Sequence, residues 1–438
     1  MTFGTIVPYR FSLSAVPCPS VQSIRALDTL RPLVPRVYTP TFILSFGKGM
    51  LVPTLPLFVA ALVRDPVTMD VNFTLVTIAV AAASLGTLFC DMPAGLLLTR
   101  ISERTGHIVG LAIIAVTIAL LALDLPYALL LVLRLLTGAG LSIWGLSRMQ
   151  YMLRMTPSHQ RGRIMSLFGG TNRIGTFASP VAGGAIATIY GFETLFVIAG
   201  IIIAVGLIPT LLSPEPKPPG TENTRSDLPS GLTNMLRRHR HDLLTAGSGQ
   251  LLVQGIRSGR QVVLPLFAAF ALDLDPVAVG IVVSTSAAID MVLFPVAGYV
   301  MDRYGRKFAI IPSFTLFSLA MALLPATRDF TGLILIGLLI GFANGIGSGS
   351  MLTLGTDLAP AHRPSQFLGV WRVIGGVGDT GGPVVVGAVA DIIGLLMAPF
   401  FLAGVGLAGA GTFALFVRET LVKQPLANAN DTKHSADT

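Results

Sequence analysis

Twelve apolar stretches of roughly 20 residues, each long enough to cross ~30 Å of hydrocarbon, leave this chain little choice of environment. They fall at about 39–63, 75–98, 108–124, 127–150, 165–188, 194–212, 247–272, 277–300, 308–326, 331–356, 367–392 and 397–417. With 52% apolar and 12% charged residues and a mean hydropathy of +0.75, the polar surface is too small to cover a soluble core of 438 residues. Runs of this length satisfy their backbone in lipid as helices. The expected fold is an all-α integral membrane protein of twelve transmembrane helices.

The net charge of +8 would suggest nucleic acid in a soluble protein. Here its distribution gives topology. If both tails and the loops after spans 2, 4, 6, 8 and 10 share one side, that side holds 21 lysines and arginines, against only Arg64 and Arg328 opposite. By the positive-inside rule the basic side is cytoplasmic, which places both termini there, in a multi-pass protein of the cell membrane. The partners expected are the lipid bilayer and a small molecule, with no nucleic acid, and the protein is expected to act as a monomer.

The first 38 residues carry Arg10, Arg25, Arg31 and Arg36 with one acid, Asp28, and no apolar h-region, so a cytoplasmic tail is expected there. Residues 213–246 are Pro-rich and then basic, which fits a linker between two bundles, 39–212 and 247–418, with a second tail at 419–438. Cys18 and Cys90 are too few for a disulfide or metal framework. The six histidines lie outside the apolar stretches, so no metal site is expected. No G-x-x-x-x-G-K-[ST] loop occurs, so neither ATP nor another cofactor is expected, and no catalytic residue stands out.

The halves repeat at one constant offset of 203 residues: Gly95 with Gly298, Arg100 with Arg303, Gly138 with Gly341, Pro157 with Pro360, His159 with His362, Gly175 with Gly378, Pro180 with Pro383 and Gly191 with Gly394. Two six-span bundles in tandem are implied. Such repeats characterise transporters whose site lies at the midplane between halves.

Residues 298–307, GYVMDRYGRK, sit between spans 8 and 9 and follow G-x-x-x-D-R-x-G-R-K. They resemble the loop signature of the major facilitator superfamily. The resemblance covers nearly all of 39–418 and implies the two-bundle fold of that family, with Gly298, Asp302, Arg303, Gly305, Arg306 and Lys307 in a cytoplasmic gating loop. The first copy, from Gly95 and Arg100, has Thr99 where the acid is expected and its second glycine three positions late. LVLRLLTGAG, 131–140, resembles the span-4 pattern, with Arg134 in the place the family associates with proton coupling. GTFASPVAGG, 175–184, resembles the family's antiporter signature, with Gly175, Pro180, Gly183 and Gly184 in a helix-bend motif. Gly378, Gly382, Pro383 and Gly387 repeat that frame in span 11.

A charge at the bilayer centre costs at least about 2.5–3.5 kcal/mol on insertion scales, so each one asks for a reason. Within the spans stand Lys48, Arg134, Arg148, Arg173 beside Asn172, Arg257, Arg260, Asp290, Arg372 and Asp379, with Asp91 and Asp357 near span ends. Spans 3, 6, 9 and 12 have none in their interiors, as expected of helices facing lipid. Arg148 reads as a snorkelling anchor, and Pro53 and Pro56 are expected to break span 1. Lys48, Arg134, Asn172, Arg173, Arg257, Arg260, Asp290, Arg372 and Asp379 form the candidate substrate or proton pathway. Asp290 and Asp379 compete equally for the titrating role, each with a static ion pair to a nearby arginine as its alternative.

The reading is a secondary transporter driven by the proton gradient, exporting small organic compounds or drugs by antiport. Uptake of an organic anion or zwitterion is the alternative that the excess of bases favours. A remote alternative, an intramembrane aspartyl protease with Asp379 and Asp290 as its dyad, rests on Gly376 to Asp379 spelling G-x-G-D. A receptor or scaffold without flux is a third class.

Overall fold

The computed structural model describes residues 33–156, 160–213, 235–360 and 364–421. Most of the expected tails, 1–38 and 419–438, and of the linker, 213–246, lies outside the described residues, as do Pro157, His159 and His362.

Among the described residues thirteen helices carry the fold: α1 Thr39–Leu62, α2 Phe73–Leu97, α3 Glu103–Leu120, α4 Tyr127–Met155, α5 Arg161–Val205, α6 Leu207–Leu212, α7 Arg240–Ala271, α8 Pro276–Arg303, α9 Arg306–Leu323, α10 Phe330–Ile346, α11 Ser350–Leu358, α12 Pro364–Ile393 and α13 Ala398–Leu415. Their starts are written in the sequence. Asn72, Ser102, Asp275 and Asp329 each turn a side-chain oxygen onto the N–H three residues on, at 2.8–3.2 Å, satisfying a donor that the first turn leaves free. Asn72 and Asp275 are themselves repeat mates.

Among the described residues ten helical segments are long and apolar enough to cross a membrane. One of them, Ile164–Leu212, has 49 residues, which at 1.5 Å per residue is more than twice the hydrocarbon thickness. It breaks at Gly191, with φ 85° and ψ 166°, and so makes two crossings. Gly394, its repeat mate, turns the chain between α12 and α13 with φ 99° and ψ 151°. Only glycine adopts that region without strain, which explains both residues. The remaining crossing is α7, whose arginines lower its hydropathy. Twelve crossings result.

The two bundles pack alike. In the first, α1 lies on α5, α2 on α4, and α3 on α4 and the second half of the α5 run; in the second, α7 lies on α12 and α13, α8 on α10, and α9 on α10 and α13. Close approach comes from matched glycines: Gly138 of α4 lies against the carbonyl of Ala83 in α2, and Gly341 of α10 against that of Ser286 in α8, both contact pairs obeying the 203-residue offset. Large apolar side chains such as Phe89, Met92, Ile392 and Leu415 stay exposed, and lipid is as apolar as they are.

Four expectations need correction. Helix α1 runs unbroken through Pro53 and Pro56, since packed neighbours and side chains such as Thr54, bonded to the Met50 carbonyl at 2.8 Å, accommodate the freed backbone. Span 10 is instead the broken one: the chain leaves the helix at Gly347, and Gly349 is left-handed at φ 77°. His107 is not outside a span but buried in α3, which starts a turn earlier than hydropathy suggests because Ser102 caps it. Arg148 does not snorkel; its guanidinium lies 4.0 Å from the Trp144 ring and 4.2 Å from the Phe168 ring.

Candidate functional site

The bundles meet chiefly through three helix pairs, α5 with α8, α2 with α12, and α1 with α7, with a smaller contact of α1 with α8. The first two are related by the repeat. At the end opposite the basic loops they meet backbone to backbone. Gly184 lies on Pro276 and Val277, and its mate Gly387 lies on Phe73 and Thr74, the mates of those two residues. Gly280 likewise lies on the Pro180 carbonyl. A side chain at any of these glycines would collide with backbone, so they close that end. Asp391 reinforces one of the two contacts, accepting from the amides of Phe73 and Thr74 at 2.8 and 2.7 Å.

On the basic side of this seal lie two cavities, of about 500 Å³ and about 320 Å³, whose walls share Lys48, Val52, Leu141 and Gln261. Lys48 therefore stands between them. The larger is also lined by Ser84, Arg134, Gln250, Gln254, Arg372 and Asp379, and the smaller by Asn172, Arg260, Ser286, Asp290 and Asn344.

The smaller cavity borders a saturated network. Arg173 of α5 forms an ion pair with Asp290 of α8 across the bundle interface. Asp290 also accepts from Asn344 at 3.1 Å and from Ser348 at 3.2 Å, while Arg173 donates to Ser348 at 2.6 Å and lies over Phe294. The break in span 10 makes this possible, since Ser348 sits in the unwound turn, and the freed carbonyl of Gly347 accepts from Arg257 at 3.1 Å. Arg257 also holds Asn344 at 3.0 Å. It lines neither cavity, so its part is to position Asn344 and the broken helix. Arg260 reaches Ser286 at 3.3 Å and lies over Phe317. Asn172 accepts from Ser45 at 2.5 Å.

The larger cavity is less neutralised. Among the described residues Asp379 of α12 accepts only from Ser84 of α2, at 3.0 Å, and has Lys48 as its charged neighbour. Arg134 is spent on the carbonyls of Ala79 and Val80, at 3.3 and 3.4 Å, leaving its charge in the wall. Arg372 pairs with Asp91 at 3.0 Å across the interface, at a site where the arginine is 58% exposed. With the two ion pairs set aside, the combined walls keep Lys48, Arg134 and Arg260 against Asp379. The balance is positive, with a single acid free of an ion pair.

The loop residues separate from this site. Among the described residues their side chains bond within the second bundle: Arg306 to Asp357 at 2.8 Å and to the Met301 carbonyl at 2.7 Å, Lys307 to the Ala414 carbonyl at 2.9 Å, and Arg303 to Tyr299 at 2.9 Å. Asp302 is 79% exposed, 3.6 Å from Arg306. Gly305, at φ 117°, leaves room for the Glu419 carboxylate, which accepts from the amides of Arg306 and Lys307 at 2.9 and 3.0 Å. Burial pushes the Glu419 carboxyl up, but the four backbone amides bonded to it outweigh this and hold it below the usual glutamate range. Gly95 and Gly298 border open space, and Arg100 is exposed.

The remaining frame glycines are packing positions. Gly175 and Gly183 lie on α1, and Gly378 and Gly382 lie on α7. Neither Pro180 nor Pro383 interrupts its helix.

Sequence reasoning missed Ser84, Ser348, Glu419 and one further pair. Arg154 forms an ion pair with Glu103 at 2.7 Å, at the repeat mates of Asp357 and Arg306, with the charges exchanged. The offset itself would have revealed it. A protease dyad is not formed: Asp290 and Asp379 line different cavities and have different partners, whereas two catalytic acids must share a proton.

A tandem pair of membrane-spanning bundles around a polar midplane cavity, closed at one end, is the architecture of a secondary transporter. The family model of the Major Facilitator Superfamily matches residues 39–256 and again 247–436, and the chain belongs to that family. It is 24% identical over 318 residues to the synaptic vesicular amine transporter of Bos taurus, covering 72% of this chain and 60% of that one. It is 25% identical over 169 residues to the quinolone resistance protein NorA of Staphylococcus aureus, covering 38% and 42%. The chain spans less than two thirds of the length of these curated relatives. The solved structure of a POT family transporter in complex with a thioalcohol-conjugated peptide shares the fold at a TM-score of 0.71 and 16% identity, over 90% of this chain and 96% of that one.

Proposed function

We propose that this protein is a proton-coupled secondary transporter of a small organic anion or zwitterion, working by alternating rocking of its bundles about the Lys48 cavities. The observation that carries this reading is Asp379. It is the acid of the cavity walls without an ion pair, in a wall whose other unpaired charges are basic. Taking up a proton there removes the charge that repels an anion and leaves Lys48 and Arg134 to attract it. Proton and anion then favour each other's binding, which is the linkage of a symporter. With the basic end cytoplasmic and the chain in the cell membrane, that linkage drives uptake from the proton gradient, with no further cofactor and no chemical conversion of the solute. Among the described residues one such cavity system lies between the chain's own two bundles, which supports function as a monomer.

A second reading is proton antiport for export. The Gly175–Gly184 frame favours it, as does the similarity to the quinolone resistance protein and the vesicular amine transporter. In that case the solute carries positive charge and competes with the proton for Asp379. Pure protein in liposomes under an imposed pH gradient decides between the two. The proposal expects an organic anion or zwitterion to accumulate with the proton influx; movement of cationic solutes against it establishes antiport, and no proton-linked flux for any solute class rejects coupling.

A further inference from the structure

We infer that the basic end of the first bundle holds a site for a phosphate-class oxyanion, either a phospholipid headgroup or a free phosphate, seated on the first amides of α3 between Arg36 and Arg104. A cavity of about 280 Å³ lies there, apart from the transport site. Its walls include Arg36, Arg104 and Arg154 against one acid, Glu103, which Arg154 already neutralises. Among the described residues the two other positive charges, Arg36 and Arg104, have no ion-pair partner.

Several donors in the walls have no partner among the described residues. Arg36 is 7% exposed and its Nη2 bonds nothing; the same holds for Thr210 Oγ1, at 3% exposure, and for Arg104 Nε. His107, also 3% exposed, lies in the same wall and gives its Nδ1–H to the Glu103 carbonyl at 3.1 Å. Buried donors of this kind are normally satisfied, and three around one cavity point to an anionic ligand. At the start of α3 the Ser102 hydroxyl accepts from the Thr105 amide at 3.2 Å and lies 3.0 Å from the Thr105 hydroxyl, so among the described residues the N–H groups of Glu103 and Arg104 have no bonded acceptor.

The repeat supplies the second argument. The mates of those two amides, Arg306 and Lys307 in α9, are bonded by the carboxylate of Glu419 at 2.9 and 3.0 Å. The second bundle thus fills the position with an anion of its own. In the first bundle the same helix start, with the positive end of its macrodipole and Arg36 and Arg104 in the cavity beside it, has no such carboxylate bonded to it among the described residues. Leu211 and Leu212 beside Arg104 are exposed apolar residues, which sets the pocket at the rim of the lipid-facing surface, the depth of phospholipid phosphates.

The test uses the full chain purified in neutral detergent, titrated with inorganic phosphate against chloride at equal ionic strength, and the same chain in phosphatidylcholine nanodiscs with and without phosphatidylglycerol. Thermal unfolding is the readout. A saturable rise with inorganic phosphate identifies a free-phosphate site, and a rise with phosphatidylglycerol alone identifies a headgroup site; both support the inference. Arg36→Gln and Arg104→Gln should each weaken the response about tenfold, the size of one charge-assisted hydrogen bond. Thr210→Val, which removes one hydroxyl without disturbing packing, should weaken it less and decides the matter if an arginine variant fails to fold. Glu419→Gln should leave the response unchanged. No saturable response to either probe, or an undiminished response in the variants at positions 36, 104 and 210, overturns the inference.

Discussion

The two interfaces that the repeat relates, α5 with α8 and α2 with α12, are alike at one end and opposite at the other. Both close through a glycine on the first residues of the facing helix, Gly184 on Pro276 and Gly387 on Phe73. Below that seal, α5 with α8 carries Arg173 and Asp290 in a network where each charge has a partner. The α2–α12 interface carries Asp379, held by one serine and facing Lys48, with its ion pair, Asp91 to Arg372, one turn nearer the basic end by the repeat register. Packing that must be repeated is repeated; charge is not. Under the proposed function, one interface holds its geometry and the other changes its protonation.

The seal gives the largest expected effect. Gly184→Leu or Gly387→Leu drives a side chain into backbone, an overpacking cost of about 1–3 kcal/mol, borne where the bundles must close. Flux in liposomes should fall by at least about tenfold, while Gly381→Ala, at a site with open space beside it, should be neutral. Next comes the saturated network. Asp290→Asn leaves Arg173 without its counter-charge in a mostly buried site, and should cost about 2–3 kcal/mol in a denaturation measurement. The pH dependence of transport should survive; its disappearance would reverse the roles assigned to the two interfaces.

The exchanged pairs, Glu103 with Arg154 and Arg306 with Asp357, offer a smaller test of the same contrast. Glu103→Arg alone sets two like charges together and should cost about 1 kcal/mol, the range of partly exposed pairs. Adding Arg154→Glu should recover most of it, because the contact requires opposite signs in either order. The smallest effect concerns Glu419. Its carboxyl is held below the usual glutamate range, so its contribution to stability is present above that range and lost as the pH falls through the depressed value. Glu419→Gln should therefore lower the melting temperature slightly at neutral pH, with the difference from wild type vanishing in acid.

The architecture could be read from the sequence because hydropathy and a fixed repeat offset are linear properties of a chain. Lys48, Arg134, Arg260, Asp290, Arg372 and Asp379 were all legible as cavity residues, since an ionised group in a membrane span has few other places to be. Which base neutralises which acid was not legible. Arg173 meets Asp290 117 residues away, and Arg372 meets Asp91 across 281, pairings set by how two bundles dock. Ser84 and Ser348 carry no hydropathy signal. The break in span 10 did leave a trace, the run Gly345-Ile346-Gly347-Ser348-Gly349, whereas the prolines of span 1 pointed to a break that neighbouring groups prevent. Glu103 and Arg154 escaped a motif search because the motif specifies sign, and the repeat kept the contact with the signs exchanged.

The central claim is that Asp379 carries the proton that the cavity exchanges for anion affinity. The direct measurement is the affinity of a transported anion for the purified protein across pH, in wild type and in Asp379→Asn. Wild-type affinity should rise as the pH falls, because protonation removes the repelling charge; Asp379→Asn, neutral at every pH, should bind at the tight, low-pH level throughout. An affinity that keeps its pH dependence in Asp379→Asn, or loses it in Asp290→Asn instead, would contradict this account.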